Sequence, residues 1–408
     1  MRKLIPTSVA ALVCVSLAVT SGLASEYTLK IFGNANMDEV IDEADIEYMR
    51  GIIEETNEVT ELADANYDGV VNQDDITQIE LIIAGEETEL TLIDGNDRVV
   101  TVPRPIERVV SISPEAIRIM MALREVNKLV AKPLHATQYI FDMYPAAFPE
   151  SEELPVVEED NPEFILSVDP DVIFMYSPSS DRADLLQEKT GIPVISHKWL
   201  PTWDSTFSTM ELVGNVLGNE DDAESLITYC NEKLDEVAET IPMIDENEKP
   251  TVFFISRIEG DTILTHAHYD SVGIAGGRLV TKDLPASPQP GGTVWVSVEN
   301  FIDWNPDIIL VARSSETPTT SVEDILSDPR FQTIDAVMNR NVYYTISGFT
   351  YWMNDCPRSL IEVLTMANTF YPNEFNGVDI ETTGNEIFER FYSVEGYWTE
   401  LGNKLDLI

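Results

Sequence analysis

The sequence predicts an α/β protein with two lobes of similar build joined by one long helix, preceded by a small α-helical module with two cation-binding loops. Three observations predict it. Two oxygen-rich loops of the 12-residue calcium type sit within residues 26–88. From Leu90 onward, short apolar runs alternate with helical stretches. Two near-copies of one segment recur 136 residues apart, at Glu163 and Glu299, which implies a duplicated lobe.

At the N-terminus, Arg2 and Lys3 precede an apolar run from Leu4 to Val19, and Gly22-Leu23-Ala24 follows as a small-x-small site. This is the pattern of a secretory signal peptide over residues 1–24, too short for the roughly 20 residues of a spanning helix. Ala11-Leu12-Val13-Cys14 is a faint lipoprotein-type box, whose use would leave a short apolar region. The expectation is an exported protein at the cell surface or in the extracellular or periplasmic space. Of 408 residues, 25 are basic and 72 acidic, a net charge of −47. Such a surface repels nucleic acid and anionic lipid, so no nucleic-acid partner is expected. Cys230 and Cys356 outlast signal removal; one disulfide is open to them, and a disulfide framework is not.

The first loop places oxygens at Asn34, Asn36, Asp38, Asp42 and Asp45, with Val40 offering its backbone carbonyl; the second uses Asp64, Asn66, Asp68, Asn72 and Asp75, with Val70. Calcium takes six to eight oxygens, and loop positions 1, 3, 5, 7, 9 and 12 wrap one ion. Glu39 stands where the sharp turn prefers glycine, which the second loop supplies at Gly69. Ile46, Met49, Ile52 and Ile53, then Ile76, Ile79 and Ile83, predict one helix after each loop. Paired loops with single following helices resemble a dockerin module. The resemblance implies structural calcium and a cohesin partner, although Glu43-Ala44 and Gln73-Asp74 replace the hydroxyl residues typical of its recognition positions.

Leu92 to Val102 predicts a hairpin turning near Asp94–Asp97. Arg108 to Ile112 predicts a buried strand, with a helix after Pro114; further apolar runs start at Asp171, Val194, Val252 and Asp307. In each repeat a Glu opens a short helix and Pro-Asp comes seven residues later, before a buried strand. Between the copies, Ala223, Leu226, Ile227, Cys230, Leu234, Val237, Ala238 and Ile241 mark one face of a helix over 220–241. Its length of roughly 33 Å suits a strut between lobes.

The segments Pro105 to Pro114, the two Glu…Pro-Asp copies, Gly273 to Gly277, Leu326 to Pro329, Asn341-Val342-Tyr343 and Pro357-Arg358-Ser359 occur in one order. From about residue 90 to the end, the chain resembles a class III periplasmic-type binding protein. That implies two Rossmann-like lobes joined by one helix, lobe 1 at about 104–202 and lobe 2 at about 250–408, within a binding domain over 89–408. It also implies a monomer that captures a metal chelate (iron–siderophore, corrinoid or haem) for an ABC importer. Glu163 and Glu299 are carried over as the carboxylates that dock onto the permease dimer.

The ligand cleft of such a fold lies at the C-terminal ends of the strands. The candidates there are Tyr139, Tyr176, Trp199, Arg257, His266, His268, Trp295, Arg313, Tyr351 and Trp352. Aromatic rings offer flat apolar area and arginines hold carboxylates. His197, His266 and His268 add imidazoles able to cap a chelated metal. No G-x-S-x-G, P-loop, H-E-x-x-H or C-x-x-C is present, so no enzyme is expected. A chelatase-like enzyme on the same architecture and a cohesin-docked adhesion or scaffold protein are the rival readings.

Overall fold

A computed structural model describes residues 28–134, 153–157, 161–177, 179–198, 202–285, 293–313, 320–346, 355–405 and 407. The N-terminal module is two loop–helix units, with α1 at Glu43–Ile53 and α2 at Gln73–Ala84. Each helix opens on a capping box. Asp42 and Asn72 take the helix amides, while Asp45 and Asp75 reach back to the N-cap amide. The predicted apolar faces meet: Ile46, Met49, Ile52, Ile76 and Ile79 pack with Ala35, Ala63 and Ala65 in a core of their own.

The hairpin follows as β1 (Glu89–Ile93) and β2 (Val99–Pro103), antiparallel and turning at the expected place. The module is not tethered to it by a linker. Ile31 bridges Leu92; the Phe32 amide donates to Thr91 at 2.9 Å and the Ile93 amide to Lys30 at 2.8 Å. Leu29 and Ile31 are buried in the main core of the binding domain.

Lobe 1 comprises β3 (Val109–Ser111), α3 (Pro114–Ala122), β4 (Leu129–Pro133), β5 (Val156–Val157), α4 (Pro162–Ser167), β6 (Val172–Tyr176), α5 (Ser180–Thr190) and β7 (Val194–His197). Its sheet, ordered β5-β4-β3-β6-β7, is parallel throughout. Two helices lead out of it, α6 (Trp203–Leu217) and α7 (Glu220–Thr240), the second being the expected strut.

Lobe 2 runs through β8 (Thr251–Ile255), β9 (Arg257–Glu259), β10 (Thr262–His266), α8 (Asp270–Ile274), β11 (Arg278–Leu279), β12 (Thr293–Ser297), α9 (Val298–Trp304) and β13 (Ile308–Arg313). It continues with α10 (Val322–Ser327), α11 (Asp335–Met338), β14 (Val342–Ile346), α12 (Cys356–Phe370), α13 (Ile380–Tyr392) and α14 (Tyr397–Lys404). A parallel sheet β11-β8-β13-β14 is accompanied by an antiparallel ribbon β12-β10-β9. The lobes are therefore less alike than the repeat implies: among the described residues, the ribbon has no counterpart in lobe 1. The reason is local, since β9 and β10 are joined by a tight turn at Gly260, which is left-handed at φ +59°.

Within the repeat the correspondence is close. Asp169 and Asn305, one residue before each Pro-Asp, are both left-handed, at φ +47° and +42°. Asp171 accepts the amides of Glu107 and Arg108 at the entry to β3, each at 2.8 Å. Asp307 accepts the amide and hydroxyl of Thr251 at the entry to β8. Each Pro-Asp thus pins the central strand of its own sheet.

One apolar core runs through both lobes, gathering α3, α6, α7, α12, α13 and α14 around Met120, Phe207, Cys230, Ile361 and Phe391. The outer faces of the two sheets keep separate cores, around Ile173 in lobe 1 and Phe253 in lobe 2. The Arg124 guanidinium of lobe 1 donates to the Phe391 carbonyl of α13 at 2.6 Å. A shared core of this kind opposes large lobe motion. Cys230 of α7 and Cys356 of α12 are buried free thiols, and a hydrogen bond to Cys230 leads the causes that hold the Cys356 thiol well above its usual range.

Candidate functional site

The C-terminal edge of the lobe 1 sheet carries Ser113, Tyr176, Ser177 and His197. Ser113 caps α3, taking the Ala116 amide at 3.1 Å, and its hydroxyl lies 2.6 Å from His197 Nε2. His197 Nδ1 lies 3.3 Å from the buried Glu115 carboxylate. Burial pushes the His197 pKa down to about 4, so the ring is neutral at physiological pH. The Tyr176 ring stands edge-on to it at 6.3 Å.

The β1–β2 turn is built into this edge. The Gly95 amide donates to the Ser196 carbonyl at 2.8 Å, and the Asn96 amide group reaches the Ser177 carbonyl and Ser196 Oγ at 3.1 and 2.6 Å. Arg98 fastens the turn by pairing with Asp94 and Asp184 at 2.9 and 2.6 Å. A Cβ on Gly95 would stand 2.7 Å from the His197 Cα, so the close approach requires glycine.

Across the lobes, Arg118 of α3 faces Asp355 at the start of α12, 3.8 Å apart, with both side chains buried. The Tyr392 hydroxyl donates to Asp355 at 3.2 Å. Further along α12, Glu362 accepts from the Tyr269 hydroxyl at 2.8 and 2.9 Å and from Thr345 at 3.3 Å. The seam between the lobes is thus polar, with Arg118 facing Asp355 and Glu362 held by hydroxyl donors. Glu115, Arg118, Arg358 and Glu362 are absent from the residues that the sequence nominates for the site. Helical spacing gives no signal for them: Glu115 and Arg118, and Arg358 and Glu362, each share one helix face that reads as a polar face, and they are buried because α3 is buried on every side and α12 is buried continuously from Cys356 to Leu364.

Of the predicted ligand residues, Tyr139, Trp199, Tyr351 and Trp352 lie outside the described residues. Tyr176 is half-buried at the end of β6, beside His197. Arg257 and Trp295 come together on the ribbon, on either side of Leu264, with the guanidinium 5.3 Å from the ring centroid. His266 is a correction: it is fully buried among Phe254 and Tyr269, 5.2 and 4.9 Å between centroids, and is part of the packing. His268 is exposed and lines a groove of about 460 Å³ between α6, α7 and α8, so the His-x-His pair does not converge. Arg313 is a second correction. Its Nε donates to the Leu405 carbonyl at 2.9 Å and its guanidinium lies over Tyr344, so it ties the C-terminal helix to β13.

Glu163 and Glu299 occupy the same place, the second residue of α4 and of α9, and both are exposed. Asn161 and Ser297 cap the two helices alike.

The 12-residue loops fit a hard cation in their donor set. Asp45 and Asp75, at the twelfth positions, are fully buried and take the amides of Asn36 and Asp42, and of Asn66 and Asn72, drawing the loop ends together. Burial, with Asp38 and Asp42 adding, pushes the Asp45 pKa up to about 6. Gly69 is left-handed at φ +88°, while Glu39 avoids that region, so the loops differ at this turn. Asn34 turns its amide nitrogen to the Leu29 and Asp38 carbonyls, each at 2.7 Å. Among the described residues, no three acidic, histidine or cysteine side chains already form a metal cluster.

Residues 109–347 match the family model described as periplasmic binding protein. The chain belongs to this family. Molybdate-binding protein MolA of Haemophilus influenzae is 23% identical over 328 residues, covering 74% of this chain and 90% of that protein. An uncharacterised ABC transporter substrate-binding lipoprotein of Bacillus subtilis, YvrC, is 24% identical over 306 residues, covering 72% and 90%. The structure of MolA bound to molybdate superposes with a TM-score of 0.62 at 20% identity, over 75% of this chain and 98% of that one. Helicobacter pylori CeuE in its Ni-His complex gives 0.61 at 20%, over 77% and 99%. The chain is therefore a solute-binding protein on a two-lobed α/β fold, and the two curated relatives are a molybdate-binding protein and a substrate-binding lipoprotein. The loop module precedes the matched residues. Among the described residues, no helix is long and apolar enough to cross a membrane.

Proposed function

We propose that the protein captures a neutral or cationic metal chelate (a corrinoid or ferric hydroxamate, ahead of haem, whose propionates make it an anion) and delivers it to an ABC importer. The observation that carries this reading is the compensated floor of the cleft. Arg118 is met by Asp355, Arg313 is used within the fold, and His197 is uncharged. An anion would have to displace an existing carboxylate, against a net charge of −47. Tyr176 and the Arg257–Trp295 pair instead offer ring faces to a large chelate. A free oxyanion is the second reading, favoured by the molybdate ligand in the name of the Haemophilus relative. A thermal-shift panel separates them. Cobalamin or a ferric hydroxamate should raise the melting temperature, since a ligand at a hundred times its Kd adds about 2.7 kcal/mol. A rise with molybdate alone would reverse the assignment.

In this reading Glu163 and Glu299 meet the permease, one from each lobe. The loop module holds calcium, which supplies charge neutralisation and ties loop positions to one point. A cohesin partner is the further implication of the dockerin likeness. The main-chain fusion of the module to β1 suits a rigid calcium-stiffened base equally well. Chelation of calcium should lower the melting temperature of the full chain, and Asp64→Ala/Asp68→Ala should reproduce part of the drop. An unchanged melting temperature would remove calcium from the account.

A further inference from the structure

Between the loop module and the strut lies a second acidic feature, separate from the ligand cleft. A groove of about 310 Å³ is lined by Asp42, Glu87, Glu211, Glu220, Asp221 and Glu224, with Arg104 as its one basic residue. Glu220, Asp221 and Glu224 form an exposed rim on α7. Glu211 of α6 and Glu87 line the wall and are only 6% and 5% exposed. Arg104 binds one oxygen of Glu87 at 2.7 Å and is further held by the Asn215 and Val216 carbonyls. The second oxygen of Glu87 and Oε2 of Glu211 are buried with no hydrogen-bond partner.

We propose that this groove binds one divalent cation, calcium or magnesium, shared by Glu211 and the rim carboxylates of α7. The site is distinct from the two 12-residue loops. A buried carboxylate oxygen without a donor is costly, and such a group either takes a proton or takes a cation. Arg104 cannot serve both walls, because its guanidinium is already divided between Glu87 and two carbonyls. The rim adds three further carboxylates, and clustered like charges in a concave wall concentrate cations. Because no three side chains among the described residues are preassembled as a shell, the ion keeps several of its waters. Its place in the fold gives it a role. Glu211 belongs to α6 and Glu224 to α7, so one ion ties the two helices that lead out of lobe 1 together along the wall that faces the module.

Equilibrium dialysis of the full chain against calcium, followed by metal analysis, tests this. Glu211→Gln/Glu224→Gln should lose one bound ion relative to the unaltered chain. Asp64→Ala/Asp68→Ala should keep that ion while losing its own, so failure of the loop reading and failure of this one give different counts. Glu224→Gln alone, on an exposed rim that does not support the fold, should weaken the site several-fold. Equal ion counts in the unaltered and Glu211→Gln/Glu224→Gln chains would overturn the proposal and leave Glu211 as a buried acid. A difference abolished by sodium chloride at matched ionic strength would overturn it as well, reducing the groove to charge screening.

Discussion

Reversing Glu163 and Glu299 together should abolish uptake while leaving ligand affinity unchanged. Both carboxylates are exposed at the second residue of a short helix, one on each lobe, capped alike by Asn161 and Ser297. Neither belongs to the cleft floor formed by Ser113, His197, Arg118 and Asp355. Placing arginine at a helix start costs the fold only about 0.3–1 kcal/mol through the macrodipole. A lost charge pair in a docked interface costs about 2–5 kcal/mol, and reversal adds repulsion. Transport in cells or proteoliposomes should therefore fall by about 30-fold or more for the pair, and by less for each single reversal. Calorimetry on the same variants should show the ligand bound as before. Normal uptake by the double variant would remove these residues from docking.

Asp355→Ala should produce the largest loss of stability of any single change at the cleft floor. Asp355 is fully buried, faces Arg118 at 3.8 Å and takes the Tyr392 hydroxyl. Removing it takes this counter-ion from a buried guanidinium, which costs about 3–5 kcal/mol. The pair also joins α3 of lobe 1 to α12 of lobe 2, so the loss should fall on the seam between lobes. Denaturant unfolding of the apoprotein measures it. The double variant Arg118→Met/Asp355→Leu, which removes both charges, should recover much of the loss. A drop below about 1 kcal/mol for Asp355→Ala would mean that water already reaches the pair.

The repeat is the most informative feature of the sequence. Glu163 and Glu299, Pro170-Asp171 and Pro306-Asp307 stand at equivalent places because their roles are local ones, opening a helix or pinning β3 and β8. The strut and both loop helices are legible from apolar spacing, since nothing long-range competes with it. The ribbon β12-β10-β9 escapes a sequence reading because its strands pair across a turn at Gly260 and the segment 267–292, and short-range periodicity does not report such pairing. Site residues are less legible. His266 and Arg313 follow the right strands, yet the neighbours Phe254, Tyr269 and Leu405 fix both side chains inside the fold, Leu405 from the far end of the chain. Glu115 and Arg118, and Arg358 and Glu362, each line one helix face as a solvated polar face would, and only the packing of α3 and α12 on every side puts them inside.

Calorimetric titration of the mature protein, with calcium present, against cobalamin, a ferric hydroxamate, haem and molybdate tests the central claim most directly. Sub-micromolar binding of one neutral or cationic chelate, without binding of molybdate, is the predicted result. Tight binding of molybdate with none of the chelates would contradict it.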